Sequence, residues 1–417
     1  MMKAVGLVVE YNPFHNGHLF HLQQSKYVSG CDAVVAVMSG HFLQRGEPAL
    51  IDKWTRAEMA LAGGCDLVIE LPVAYATSSA EWFAHGAVAL LEATGVIDAI
   101  CFGTESGQLA PLASAAKLAA SNSTSLKQLL QEQLNLGASY PRAYSNALTQ
   151  LLTQATDWQQ NAIALDQPNH TLGLHYMVAL ERLNSSIKPY TIAREQAQYH
   201  DPMPNHHAIA SATAIRKMLL EAQNQNLESI SAYVPRTTLD LLERTLIKEA
   251  RQPMHWERFT AQLFYQLSVM PPAALSAYRE MEEGLEHRFT QYAKQVSRYS
   301  VEELLSAVKT KRYTRTKLQR ALLAVLLQHH KQQFTREQLT QGIQYIRVLG
   351  FTEKGQQLLK DMKKKAKLPV IHSPAQLLGS SDYLQLDVAA TSCYMQLFEA
   401  KNPKLQLADY HKPPIRL

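Results

Sequence analysis

Short continuous apolar runs alternate with amphipathic stretches through the first half of the chain. Runs at residues 3–9, 32–38, 66–71 and 98–102 are rich in Val, Ile and Leu with little polar alternation, as strands buried on both faces are. Between them, residues 52–62 and 79–94 have apolar positions at helical spacing. A helix-like stretch near 169–183 precedes another strand at 190–193, and Ser211 opens a further helix. Residues 108–160 read as helical, an insertion over the strand ends. This alternation predicts an α/β fold, a Rossmann-like parallel sheet with helices on both faces. From about residue 225 the pattern changes to amphipathic helices as far as about 367, followed by a less regular tail with short apolar runs. No internal repeat or low-complexity linker separates the halves, so they are expected to pack together.

Length turns the change of pattern into a domain expectation. At 417 residues the chain exceeds the roughly 250–300 at which one core stops growing. An α/β unit at 1–235 is therefore expected to precede a mainly helical unit at 236–417. With 46% apolar and 18% charged residues the chain suits a globular fold, and no apolar run reaches the roughly 20 residues that cross a bilayer. Glu10 comes too early for a signal peptide, so the expected location is the cytoplasm. Cys31, Cys65, Cys101 and Cys393 lack the pairing of a zinc site or disulfide scaffold and are expected as buried thiols, with no structural metal. Charge is unevenly spread: residues 1–120, 121–240 and 241–417 carry nets of -5, -1 and +11. An acidic front and a basic back suit chemistry in one half and a polyanion, first of all nucleic acid, on the other.

The chemistry-bearing segment lies where the first run hands over to a helix: Val8-Val9-Glu10-Tyr11-Asn12-Pro13-Phe14-His15-Asn16-Gly17-His18. His15 and His18 are spaced to share one side of an opening helical turn. The N–H groups and positive end of such a turn attract anions, and a loop beyond a strand's carboxyl end is where open α/β sheets bind ligands. Gly17 lets phosphate approach the backbone, and two imidazoles can donate to oxygens that gain charge when an α-phosphorus is attacked. Turn histidines that only cap the helix are the plainer alternative. Zinc is disfavoured, because no third ligand stands nearby.

Downstream, Ser211, Thr213 and Arg216 form a second helix opening, with two hydroxyls and a guanidinium suited to pyrophosphate, or an ordinary capped helix. Arg45, Lys53 and Arg56 lie on a Gly/Pro-containing loop able to close over the site. In the second half, Lys309, Lys311, Arg312, Arg315, Lys317 and Arg320 have no acid among them, and Tyr313 is interleaved. Lys354, Lys360, Lys363, Lys364, Lys365 and Lys367 form another cluster. Solvated helix faces mix signs, so phosphate-backbone contact explains these runs better. His206-His207 and His329-His330 read as surface or packing residues.

His15-Asn16-Gly17-His18 resembles the H-x-G-H signature of the nucleotidyltransferase superfamily, Rossmann-like enzymes that transfer a nucleotidyl group with loss of pyrophosphate. Longer stretches are similar to the bacterial tRNA(Met) cytidine acetate ligases: GLVVEYNPFHNGH at 6–18, MSGHFLQRGEPA at 38–49, DLVIELP at 66–72 and VKTKRYTRTKLQR at 308–320. The similarity covers nearly the whole chain. It implies that ATP and acetate form acetyl-adenylate, and that the acetyl group passes to N4 of the wobble cytidine of elongator tRNA(Met).

The resemblance makes residues 8–21 the ATP cradle. Val8, Val9, Glu10, Tyr11, Asn12, Pro13, Phe14, Asn16, Gly17, Leu19, Phe20 and His21 would surround the nucleotide, with His15 and His18 on its phosphates. Gly103 matches the adenosine-side glycine, Asn169 the nucleotide-binding Asn and Arg194 an ATP-contacting Arg. The family more often has Asn where this chain has His170, which leaves the contact to 169 or 170; spacing alone reads Asn169 as a helix N-cap. Ser211, Thr213 and Arg216 match the element that holds the β- and γ-phosphates, and Mg²⁺ is expected with the triphosphate. Two other readings remain open. A small-molecule nucleotidyltransferase leaves the basic half unexplained, and a nucleotide-gated RNA-binding protein without turnover has no need of both phosphate elements.

Overall fold

The structure is a computed structural model and describes residues 2–121, 123–153, 162–193, 209–221, 227–377, 381–398 and 402–417. Its strands are β1 (Ala4–Val9), β2 (Ala33–Ser39), β3 (Leu67–Leu71), β4 (Ala99–Thr104), β5 (Lys188–Ala193), β6 (Ile346–Phe351), β7 (Val370–Ile371) and β8 (Ile415–Arg416). They form one sheet in the order β5-β4-β1-β2-β3-β6-β7, with β8 also paired to β6. The first five are parallel, as the apolar runs predict.

The aspartates that precede three of those runs have a shared task. Asp32 Oδ2 accepts from Lys3 N–H at 3.0 Å, Asp98 Oδ2 from Ala4 N–H at 2.9 Å and Asp66 Oδ2 from Val34 N–H at 2.9 Å. Each carboxylate satisfies a backbone donor at the amino edge of the sheet, where the ladder has not yet begun.

Helices Asn16–Ser29 and Lys53–Ala62 connect β1 to β2 and β2 to β3, in one direction across the sheet. Helix Ala80–Thr94 leads back to β4, and helix Pro168–Arg182 leads on to β5. Right-handed crossovers put the first two helices on one face and the other two on the opposite face. The direction reverses between β1 and β4, so the crevice for a ligand opens at their carboxyl ends. Three helices, Ala110–Ala120, Thr124–Asn135 and Tyr140–Leu152, occupy the stretch read as an insertion.

β6, β7 and β8 come from the stretch expected to be helical or irregular. β6 lies antiparallel beside β3, with Arg347 opposite Glu70. The sheet and its core, which extends from Ala4 to Ala408, therefore run across position 235. A buried ionic cluster fastens the join. Lys53 Nζ donates to Glu70 at 2.6 and 2.8 Å and meets Asp409 at 2.8 Å, and Arg347 Nη2 also meets Asp409 at 2.8 Å. Lys53 is thus a core residue and not part of a closing loop. Cys31, Cys65 and Cys101 are buried and Cys393 is half-buried, all as unpaired thiols. His329 is buried, which pushes its imidazole down to about 3, whereas His330 is exposed. His206 and His207 lie outside the described residues.

Candidate active site

Beyond Val9 the chain turns sharply. Tyr11 has a φ of +46° and is buried, its hydroxyl 3.7 Å from Cys65 Sγ, and the Asn12–Pro13 peptide is cis. Asn12 Oδ1 accepts from Leu50 N–H at 2.7 Å. This turn delivers His15 to the N-cap of helix Asn16–Ser29, where its Nδ1 accepts from Gly17 N–H at 3.0 Å. Nε2 then carries the ring proton and is the donor. The His15 and His18 rings stack with centroids 3.7 Å apart. A Cβ at Gly17 would lie 2.9 Å from His15 Cε1, so a side chain there would push the imidazole from its place.

The other residues of the loop divide. Tyr11, Asn12, Pro13 and Phe14 are buried and shape the turn, while Gly17, His18, Leu19, Phe20 and His21 are half-buried. Asn16 donates from Nδ2 to Ala232 O and from its backbone to Tyr233 O, both at 3.0 Å, and so anchors the helix. Val8 and Glu10 are half-buried and Val9 is buried. Burial raises the Glu10 carboxyl above its ordinary range although Gln44 N–H donates to it at 2.9 Å.

The second helix opening, at Ser211, arrives at the same place. Ile209 Cγ2 lies 3.5 Å from where a Gly17 Cβ would be, which sets the opening of helix Ala212–Glu221 beside that of the first helix. Ser211 Oγ accepts from Ala214 N–H at 3.1 Å, so it caps the helix. Arg216 reaches back, donating to Asn12 O at 3.1 Å and to Thr213 Oγ1 at 3.3 Å.

Gly103 is half-buried near the end of β4, opposite Ile192. Glu105, just past it, accepts from Asn169 N–H at 2.9 Å, Asn169 Nδ2 at 2.7 Å and His170 N–H at 2.8 Å. Burial alone would raise its carboxyl; these donors outweigh it and hold the group below the ordinary range. His170 is buried, with Nε2 accepting from Ser106 N–H at 3.1 Å and Nδ1 2.9 Å from Ala164 O. Its ring holds the turn after β4, whereas Asn169 is half-buried at the helix opening. Arg194 lies outside the described residues.

The expectation of a closing loop is corrected. Arg56 is fully buried and donates to Glu10 O at 2.6 Å, Ser39 O at 3.1 Å and Gly40 O, so it clamps the ends of β1 and β2. His41 stacks on Tyr394 with centroids 4.4 Å apart, which pins the loop to helix Asp382–Phe398. Of the three cations only Arg45 is exposed.

Residues 2–409 match the family described as HIGH Nucleotidyl Transferase. The tRNA(Met) cytidine acetate ligase of Lysinibacillus sphaericus is 41% identical over 100% of both chains, and that of Bacillus subtilis is 40% identical over 100% of this chain and 97% of its own. The chain belongs to the tRNA(Met) cytidine acetate ligase family. Its fold matches a crystal structure of Thermotoga maritima TmcAL bound with alpha-thio ATP, with a TM-score of 0.90 and 36% identity over 100% of both chains.

In this member of the acetate ligase family the first basic run is less bare than its sequence. Lys309 and Lys311 are exposed, and among the described residues neither has an ion-pair partner. Arg312 meets Glu283 at 3.0 Å, Arg315 meets Glu302 at 2.8 Å, Lys317 meets Glu283 at 3.9 Å and Arg320 meets Glu280 at 2.8 Å. These acids come from other segments, so the run gave no sign of them. Helix Arg315–Leu326 packs on the turn at 43–47, beside Arg216. The second basic cluster sits elsewhere. Lys354 reaches Asp32 O at 3.3 Å and Lys367 meets Glu92 at 2.9 Å, at the amino edge of the parallel strands and away from His15. Sequence reasoning also missed Glu47 and Glu105, whose partners lie far along the chain. Among the described residues no group of three or more His, Cys, Asp or Glu could hold a metal ion.

Proposed function

We propose that this protein is an ATP-dependent ligase that acetylates N4 of the wobble cytidine of elongator tRNA(Met), through acetyl-adenylate, releasing pyrophosphate and AMP. The observation that carries the reading is the meeting of two phosphate elements, His15–His18 and Ser211–Arg216, at the reversal point of the sheet in a full-length relative of such ligases.

Acetate is already ionised near neutral pH, so its oxygen attacks the α-phosphorus without a base. The bond to pyrophosphate breaks, and His15 Nε2–H and His18 donate to the oxygens that gain charge. Arg216, a guanidinium that keeps its charge and can bind two oxygens at once, holds the departing phosphates with Ser211 and Thr213. Gly103 and Asn169 take the adenosine side, and Arg194 a further ATP contact. The cytidine N4 then attacks the acetyl carbonyl carbon, the bond to AMP breaks, and N4 gives up a proton. An acid anhydride hydrolyses readily, so the base enters splayed out of its loop into a site that excludes water. A Mg²⁺ arriving with ATP would be held by the nucleotide's phosphates, since the described residues at this mouth include no carboxylate cage. Residues 1–235 supply the adenylation site and 236–417 the RNA-facing surface. No helix among the described residues is long and apolar enough to cross a membrane, which fits work in the cytoplasm.

Pyrophosphate release tests the reading. Acetate with ATP alone should release it, and tRNA should increase the yield; release only with some other small acid, or none at all, overturns it.

In this run Lys309 and Lys311 are without an ion-pair partner among the described residues, so the double variant Lys309→Ala, Lys311→Ala should weaken tRNA binding most per charge removed. The slope of log affinity against log salt should flatten by about 0.7–0.9 for each lost contact. An unchanged slope across a salt series would show that neither lysine meets a phosphate.

A further inference from the structure

Glu47 stands between the phosphate element and the basic helix. Its Oε2 faces Arg216 Nη2 at 3.5 Å, and its Oε1 accepts from Gln319 Nε2 at 3.1 Å. The other amino group of Arg216 donates to Asn12 O at 3.1 Å, on the turn that delivers His15. One unbroken series, Asn12, Arg216, Glu47 and Gln319, thus joins the histidine turn to helix Arg315–Leu326. Arg315, one helical turn before Gln319, also feels the Glu47 charge.

The turn that carries Glu47 cannot drift from that helix unnoticed. Gly46 has a φ of +78°, and a Cβ there would lie 2.6 Å from Arg320 N and 2.8 Å from Gln319 C. Backbone therefore rests on backbone with no side chain between. Leu43 N–H donates to Glu47 O at 2.9 Å and Gly46 N–H to Leu43 O at 2.8 Å, so the turn is itself tight.

We propose that Glu47 is a positioning residue that couples ATP binding at Arg216 to tRNA binding on the basic helix. The proposal rests on the function proposed above. Without ligands the carboxylate shares its charge between Arg216 and the helix. A triphosphate that takes Arg216 Nη2 competes with Glu47 for it, and an RNA phosphate arriving at the helix repels the same carboxylate. Whichever anion binds first removes Glu47 from the path of the second, so each tightens the other by the same factor, as linkage requires. A partly exposed ion pair of this kind supports a coupling of about two- to fivefold.

The test is ATP affinity of the full-length protein, without acetate, measured by titration calorimetry with and without tRNA(Met). In the parent protein tRNA should tighten ATP binding about two- to fivefold. Glu47→Gln should bind ATP tighter by that factor without tRNA and gain nothing more when tRNA is added. Glu47→Asp, which keeps the charge, should keep the coupling. The proposal is overturned if Glu47→Gln binds ATP no tighter than the parent, or if tRNA still tightens ATP binding in that variant. A parent protein that tRNA leaves unchanged overturns it too, whereas a parent that never acetylates tRNA refutes the function itself.

Discussion

Acetate-dependent exchange of pyrophosphate into ATP is expected to fall by about 10²–10³-fold in His15→Ala and in His18→Ala. Each imidazole stands at the opening of helix Asn16–Ser29, and its donor matters when the α-phosphate gathers charge. The two variants should differ in stability. His15 Nδ1 also caps Gly17 N–H, and loss of an N-cap costs about 1 kcal/mol. His18 packs its ring against His15, Tyr11 and Phe14, so His18→Ala should lose stability through lost packing and not through a lost cap. His15→Asn separates the two proposed tasks, because asparagine caps well but lacks the Nε2–H proposed to donate to phosphate. It should restore stability and not exchange. Recovery of exchange in His15→Asn would reduce His15 to a cap.

The second large effect lies in the buried ionic cluster beneath β3 and β6. Asp409→Ala is expected to destabilise the protein by about 3–5 kcal/mol, because it leaves Lys53 and Arg347 buried with one carboxylate fewer. Burial is the largest influence on Asp409 and would raise its carboxyl, but Lys53 and Arg347 outweigh it and hold the group below its ordinary range. The sign of its pH dependence follows. Its stabilisation is present above the unfolded carboxylate range and is lost as pH falls through the lower folded value. The parent should therefore lose more stability on acidification than the variant, in urea melts at several pH values. Equal melts for parent and variant would mean that the cluster does not hold the C-terminal strands to the sheet.

How much of this was legible in the sequence depended on the distance to the deciding partner. The first four parallel strands were visible because burial on both faces writes itself as a local run such as AVVAVMS. The histidine turn was visible because its chemistry fits within one loop. β6 was not, because IRVLGF carries an arginine and pairs with β3 some 280 residues away. Lys53 and Arg56 looked like loop cations for the same reason: the groups that make their burial tolerable, Glu70, Asp409 and the carbonyls of Glu10, Ser39 and Gly40, are not neighbours in sequence. The basic run appeared free of acids until folding brought Glu280, Glu283 and Glu302 to it.

Mass spectrometry of nucleosides from tRNA incubated with the protein, ATP and isotope-labelled acetate tests the central claim most directly. The account predicts labelled N4-acetylcytidine in elongator tRNA(Met), at the wobble position, formed only when ATP and acetate are both present and lost in His18→Ala. Unmodified cytidine, or label that enters without ATP, would contradict it.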